Sequence, residues 1–542
     1  MTKPILLATL IVVLVAVGFL FLHSKRTPRT HVAPVVPKGA HPGELTPLEP
    51  YVHQLGKKKF AATRGTLTVA ENWDDPNSRL IELPVVRIPS TAPHPAEPVF
   101  VLLGGPGTSN FLFAPKDWLL EKHDVILVGY RGVDGSVDLA CPEVSKLSAD
   151  FLGTSFLSDQ ANAELTAAVR RCAENFQASG VDLRGYTAKG VVQDMEAARK
   201  ALGYDRINLW SESYGTRVAQ LYAYLYPNSL KRTVLIGINT PGHLVYDPVV
   251  LDDLIRHLSD LCTKNSDCRL RTTNLAHVMH TVNHNMPKNW LFLPIDPGTI
   301  RMLTHMMFFN NPTMPIVLDA YLAAANGDPS GLALLNFIAP LVFPFQMFHM
   351  GDFLNKGGTL DLEYYHGPES IKLGDSIMGA PLAEWVWPMA AQWPVEPVEA
   401  SLRQLQENDV DMLVVNGTVD FSTPPHILDE FTDYYHNAQT VLLPEFSHTG
   451  DVTGLQPEAL ERLITSYYDT GLADASLFVY QPVSFKPKIS TTLIAKLMLI
   501  AMVMFPPLLV TVLVMVVRRL RRQRMNRSNA ALSSSLPPQA NS

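Results

Sequence analysis

Charged side chains are scarce in this chain. Asp, Glu, Lys and Arg make up 18% of its 542 residues, against 47% hydrophobic ones. That is apolar for a soluble protein and asks whether part of the excess lies in lipid. Cysteines are also few: Cys141, Cys172, Cys262 and Cys268 are the whole set. Acids are missing from both ends, where Lys3, Lys25, Arg26, Arg29 and six tail arginines stand without a carboxylate. Setting those ten positive charges aside leaves the middle at −17 from a total of −7, which argues against nucleic acid as a partner. No internal repeat at a fixed period is evident. The chain is long enough for one large domain with an insertion, or for two domains, and a sizeable core is expected.

Two runs answer the question about lipid. Pro4 to Leu22 is uncharged, apolar and as long as a bilayer-spanning helix requires. Leu493 to Val517 is the second, interrupted by Lys496 and by Pro506 and Pro507, which predict a kink. Arg518, Arg519, Arg521, Arg522, Arg524 and Arg527 follow it directly, so residues 518–542 read as a basic cytoplasmic tail. With both helices retained, the domain between them is extracytoplasmic, periplasmic or extracellular. Lys25, Arg26 and Arg29 pull the first helix the other way. A cleaved signal peptide is the other reading of the first run, although no A-x-A site follows it. Both readings export the domain. Of three possible cysteine connectivities, Cys141 with Cys172 and Cys262 with Cys268 closes the shortest loops and suits an oxidising compartment. Four buried free thiols are the alternative.

Residues 27–50 are rich in proline and read as a linker. From Gly65, GTLTVAENW and LIELPVVRIP alternate at period two, which suggests an antiparallel hairpin at a sheet edge. Short apolar runs follow at residues 98–103, 124–129, 206–210, 233–237, 411–417 and 439–444, as strands of a parallel sheet buried on both faces would show. Amphipathic helices lie between several of them. The expectation is an α/β fold with a doubly wound, mostly parallel sheet, its core in residues 51–245 and 394–480. Residues 246–393 break the rhythm and read as an inserted helical cap.

The strongest chemical signal is RINLW-SESYG-TRVAQLYAYLYP, a strand, a small-x-Ser-x-Gly turn and a helix. A nucleophile elbow needs this context, because the serine sits on a strained turn and small neighbours let strand and helix approach. Ser213 takes the nucleophile position and Gly215 the second small one, while Ser211 stands where glycine is usual and predicts slight crowding. A serine needs a base and an orienting acid. In chain order these are Asp420, in TVDFSTPP after one strand, and His448, in EFSHTGD after the next. An acyl transfer also needs an anion-stabilising pair of N–H groups. Gly104-Gly105-Pro106-Gly107 supplies one, with Gly105 first and Gly107 second, and Tyr214 supplies the other.

With GTLTV (65–69), GGPG (104–107), YRGVDGS (130–136), DMEAARKALG (194–203), SESYGT (211–216), GTVDFSTPP (417–425) and FSHTG (446–450) in order, the chain resembles the serine peptidase family of prolyl iminopeptidases, most closely its tripeptidyl aminopeptidase branch. The resemblance implies an exported α/β hydrolase with a helical cap that removes residues from peptide amino termini, the same triad, no metal and no cofactor. This sequence departs from the family at Leu103, where histidine is common, at Ser211, at Gly129-Tyr130 and at Ile236. An aminopeptidase must recognise an ammonium group, and Glu363, Glu369 and Glu384 of the cap are available for it. The substrate is expected to be a short peptide, or a small ester if the triad serves an esterase or lipase; a catalytically silent binding module is the third alternative. The sequence assigns no oligomeric state.

Overall fold

The computed structural model describes residues 36, 39–343, 345 and 348–503. It divides into two units, the larger within residues 26–488 and a second that includes residues 489–503. In the second unit residues 491–503 are helical. The apolar run 4–22 lies outside the described residues, as does the run 493–517 from residue 504 onward. No described helix is long and apolar enough to cross a membrane.

The large unit is built on a nine-stranded sheet. β1 (Glu49–Leu55), β2 (Lys58–Ala70) and β3 (Leu80–Ile88) pair antiparallel, and β3 pairs antiparallel with β5 (His123–Val128). β4 (Ala96–Leu102), β6 (Ile207–Glu212), β7 (Leu230–Ile236), β10 (Met412–Gly417) and β11 (Ala438–Leu443) run parallel with β5, in the spatial order β1-β2-β3-β5-β4-β6-β7-β10-β11. Each apolar run read as a buried strand falls on one of these. β5 and β10 are buried at every position because the sheet is covered on both faces, which is why they read as unbroken apolar runs. Successive residues of β6 serve opposite layers: Leu209 packs into the larger core, Trp210 into the smaller one beneath.

Helices follow where the sequence offers both a cap and an apolar stripe. In Ala188–Ala201 the Thr187 hydroxyl accepts from the Gly190 N–H, while Val191, Val192, Met195 and Ala198 face the core. Residues 246–393 hold the helices Pro248–Lys264, Leu275–His284, Pro297–Met307, Met314–Ala325, Ser330–Val342, Met350–Asp361 and Pro381–Ala390, with one small hairpin of β8 (Asn289–Trp290) and β9 (Leu293–Pro294). Cys141 is bonded to Cys172, and Cys262 to Cys268.

The proline-rich stretch 27–50 does not end as a free linker. Glu44 and Thr46 pair with Thr68 and Thr66 of β2, and β1 starts at Glu49. Proline removes a donor but leaves neighbouring residues free to pair. Gly65 provides the space, since a Cβ there would lie 2.9 Å from the Leu48 side chain and 3.2 Å from that of Leu45.

Arg131, in the loop after β5, is fully buried. Its Nε and Nη2 donate to the two oxygens of Asp194 at 2.6 and 2.5 Å, and its remaining donors reach the carbonyls of Ala70, Glu71 and Gly185. One side chain thus ties β2, the helix bearing Asp194 and the loop before that helix. Asp194→Ala leaves the guanidinium buried without a counter-ion, and we expect a loss of about 3–5 kcal/mol in urea unfolding; a loss within experimental error would show that the pair is dispensable.

Candidate active site

Ser213 stands between the end of β6 and the helix Tyr214–Leu225, at φ 52° and ψ −126°. Such a conformation costs a side-chain-bearing residue about 1–3 kcal/mol and persists only where its surroundings enforce it. Three contacts do so. The Ser213 N–H donates to the Ile236 carbonyl at 2.9 Å. A Cβ on Gly215 would lie 2.1 Å from the Leu102 carbonyl oxygen, so the helix runs against β4 with no room for a side chain. A Cβ on Gly104 would lie 2.8 Å from that of Ser213. The crowding expected at Ser211 is resolved by a bond: its buried hydroxyl donates to the Val234 carbonyl of β7 at 2.6 Å.

Asp420 lies in the turn beyond β10 and is fully buried. Its Oδ1 accepts from the N–H groups of Ser422 and Thr423, both at 2.8 Å, and its Oδ2 from the Thr423 hydroxyl at 2.7 Å. His448 follows β11, immediately before the helix Thr449–Gly454, and its Nδ1 is 2.8 Å from Asp420 Oδ2. Burial alone would push the Asp420 carboxyl up; the charge and bond of His448 and the donors of Thr423 outweigh it, and the group is held below its usual range. With Nδ1 facing Asp420, Nε2 is the nitrogen left to meet a hydroxyl.

β7 brings Ser213 and His448 together. Its Ile236 carbonyl holds the Ser213 N–H, and a Cβ on the next residue, Gly237, would lie 2.9 Å from His448 Cε1. The serine and the imidazole therefore flank one dipeptide at the carboxyl edge of the sheet.

The glycine loop after β4 forms the adjoining wall. The Leu103 N–H donates to the Asn110 side chain at 3.0 Å, and the Tyr130 hydroxyl to the Leu103 carbonyl at 3.0 Å, so the two departures at 103 and 130 contact each other. Of the two glycines considered as N–H donors, Gly107 is turned toward the Asp352 carboxylate, and its carbonyl accepts from the His349 N–H at 2.8 Å. Gly105 has φ 132°, and its neighbour Gly104 is the residue that packs on Ser213. The Tyr214 N–H is the first of its helix and has no preceding turn to bond.

Several residues escaped the sequence reading. Thr423 clamps Asp420 and lies 3.2 Å from His448 Nδ1; its spacing of three from an aspartate in a turn was the available signal. His243 and His305 hold the same loop through the carbonyls of Ser422, at 2.5 Å, and Phe421, at 3.2 Å. Burial pushes both imidazoles down to about 4, so each is neutral at neutral pH. A carbonyl only accepts, which puts the proton on Nε2 in both. Nothing in the sequence links these histidines to residues more than a hundred positions away. The three cap glutamates are all occupied: Glu384 by Arg301, Glu363 by Arg403 and Glu369 by Lys372. Among the described residues no group of three or more His, Cys, Asp or Glu is placed to hold a metal ion.

A serine on a strand-to-helix turn and a carboxylate-bound histidine, both beside Ile236-Gly237 at the carboxyl edge of a mostly parallel sheet, are the features of the α/β-hydrolase fold. The sequence matches two family models accordingly, "alpha/beta hydrolase fold" over residues 97–257 and "TAP-like protein" over residues 381–477. The chain has the α/β-hydrolase fold, and two proteins it resembles are named as peptidases. It is 26% identical over 262 residues to the serine protease Hip1 of Mycobacterium tuberculosis, covering 43% of this chain and 48% of that protein. To the tripeptidyl aminopeptidase of Streptomyces lividans it is 28% identical over 193 residues, 33% of this chain and 35% of the other. The match thus spans about half the length of the first relative and a third of the second.

Because its folded pKa is depressed, Asp420 contributes stability that is complete above the unfolded value near 4 and is lost as pH falls through the lower folded value. In a Ser213→Ala background, the gap in unfolding free energy between Asp420 and Asp420→Asn proteins is therefore flat above about pH 5 and narrows below about pH 4. Urea titrations across that range check the sign, which a gap widening toward acid would reverse.

Proposed function

We propose that this chain is a membrane-tethered serine exopeptidase that removes residues from the amino termini of short peptides outside the cytoplasm. The reading rests on one observation: Asp420 orients His448 through Nδ1, and His448 and Ser213 flank the same Ile236-Gly237 dipeptide. In that arrangement His448 takes the Ser213 proton as the hydroxyl attacks the scissile carbonyl, and Asp420 stabilises the imidazolium. The N–H groups of Gly105 and Tyr214 receive the developing oxyanion. His448 then returns the proton to the leaving amine, and water releases the acyl group by the same steps in reverse order of roles.

The peptidase assignment is supported by the named activities of the two relatives. The membrane tether rests on the runs 4–22 and 493–517 and the six arginines after them. Two disulfides support an oxidising compartment.

Ser213→Ala and His448→Ala should each lower kcat by roughly 10⁴- to 10⁶-fold while leaving the unfolding transition in place. A fluorophosphonate probe should label the wild type at Ser213 and neither variant. Parallel assays on aminoacyl arylamides and p-nitrophenyl esters separate the peptidase from an esterase: ester turnover with inert amides would overturn the peptidase assignment. An intact wild type that stays unlabelled would leave only a binding module.

A further inference from the structure

The carboxylates expected to receive a substrate ammonium in the cap are not free to do so. Arg301 holds both oxygens of Glu384, at 2.5 and 3.0 Å, while Arg403 and Lys372 neutralise Glu363 and Glu369. One carboxylate at the site is in a different condition. Glu212 is the residue immediately before Ser213, and it is half-buried. Its Oε1 accepts from the Trp210 indole N–H at 2.7 Å, and it forms no ion pair among the described residues. The indole is itself fixed by the rings of Phe113 and Trp118, with centroids 5.6 and 6.3 Å away. Glu212 is therefore a carboxylate held through Oε1 beside the reacting serine, with no ion-pair partner among the described residues.

Resting on the exopeptidase reading above, we infer that Glu212 is the binding site for the substrate's amino-terminal ammonium, and that its place next to Ser213 makes the enzyme release one residue at a time. Electrostatics agree: burial pushes the Glu212 carboxyl up, and the Trp210 bond and the charges of His448 and Lys116 do not fully offset it. A carboxylate left short of positive charge is stabilised by a bound ammonium.

The length restriction follows from chain geometry. In an aminoacyl substrate the ammonium is separated from the attacked carbonyl carbon only by Cα. Residues 212 and 213 are neighbours, with α-carbons about 3.8 Å apart, and the Glu212 carboxyl is close enough to His448 to feel its charge, so it stands beside the reacting groups. In a tripeptidyl substrate the ammonium lies two residues further from the scissile bond, roughly 7 Å more in extended chain, beyond Glu212. One relative is named tripeptidyl aminopeptidase; in this chain the glutamate selects a shorter acyl group.

The test uses the full-length wild type, Glu212→Gln and Glu212→Asp with alanine p-nitroanilide, trialanine p-nitroanilide and N-acetylalanine p-nitrophenyl ester. The wild type should hydrolyse the alanine anilide with higher kcat/KM than the trialanine one, and mass spectrometry should show alanine rather than intact trialanine as the first product. Glu212→Gln should lower kcat/KM on the alanine anilide by about 10- to 100-fold, mainly through KM, and leave the acetylated ester within about twofold. Glu212→Asp, which keeps the charge, should recover part of that loss. Equal losses on both substrates would make Glu212 a support of the elbow and overturn the inference, as would intact trialanine as first product. Wild-type protein turning over neither ester nor amide would sink the exopeptidase reading and this inference together, whereas free-amine anilide turnover that Glu212→Gln leaves unchanged sinks this inference alone.

Discussion

Everything at the site depends on a backbone held where a side-chain-bearing residue resists going. Ser213 sits at a positive φ because the helix after it is pressed against β4, and that pressing is possible only because Gly215 and Gly104 carry no side chain. The strain of about 1–3 kcal/mol is offset by the packing it permits, with Val218, Ala219 and Tyr222 of that helix wholly buried. Ser211 shows how a departure from glycine is absorbed: a larger residue enters the same space by donating to the neighbouring strand. The sheet order does the rest, since β6, β7, β10 and β11 lie side by side and bring three residues scattered over 235 positions of chain to one edge.

The loop after β5 supports this edge from below. Tyr130 and Arg131 are consecutive, yet the first bonds the carbonyl of Leu103 under the glycine loop while the second enters the ion pair with Asp194. Asp134 closes the same turn, accepting from the Tyr130 and Asn110 N–H groups at 2.9 and 3.1 Å. The glycine loop is thus braced on a buried polar frame in which the charges and donors find partners, the condition under which such a frame rigidifies a structure.

What the sequence disclosed, it disclosed through local pattern. The central strands were legible because burial on both faces writes an unbroken apolar run, and the elbow because strand, small-x-Ser-x-Gly and helix are contiguous. Asp420 and His448 were legible by chain order and by their places after strands. The rest is written in contacts between distant residues. Arg301 and Glu384 are 83 positions apart, and His305 and Phe421 are 116 apart; no periodicity encodes such pairs. Residues 27–50 read as linker because proline content says nothing about whether an adjacent backbone finds an edge to pair with. Glu212 was visible in the motif from the start, and only the occupied state of the cap glutamates gave it meaning.

The strap between the glycine loop and the cap has a mechanical consequence. Gly107 accepts from the His349 backbone, and the helix that starts at Met350 carries Asp352, which Lys356 holds from one turn on at 2.8 Å while also reaching the Arg131 carbonyl. The segment bearing one of the proposed anion donors is therefore sewn to the lid rather than to the sheet alone. Strain on that helix is therefore transmitted to the glycine loop through the His349–Gly107 bond, and the loop cannot shift without it.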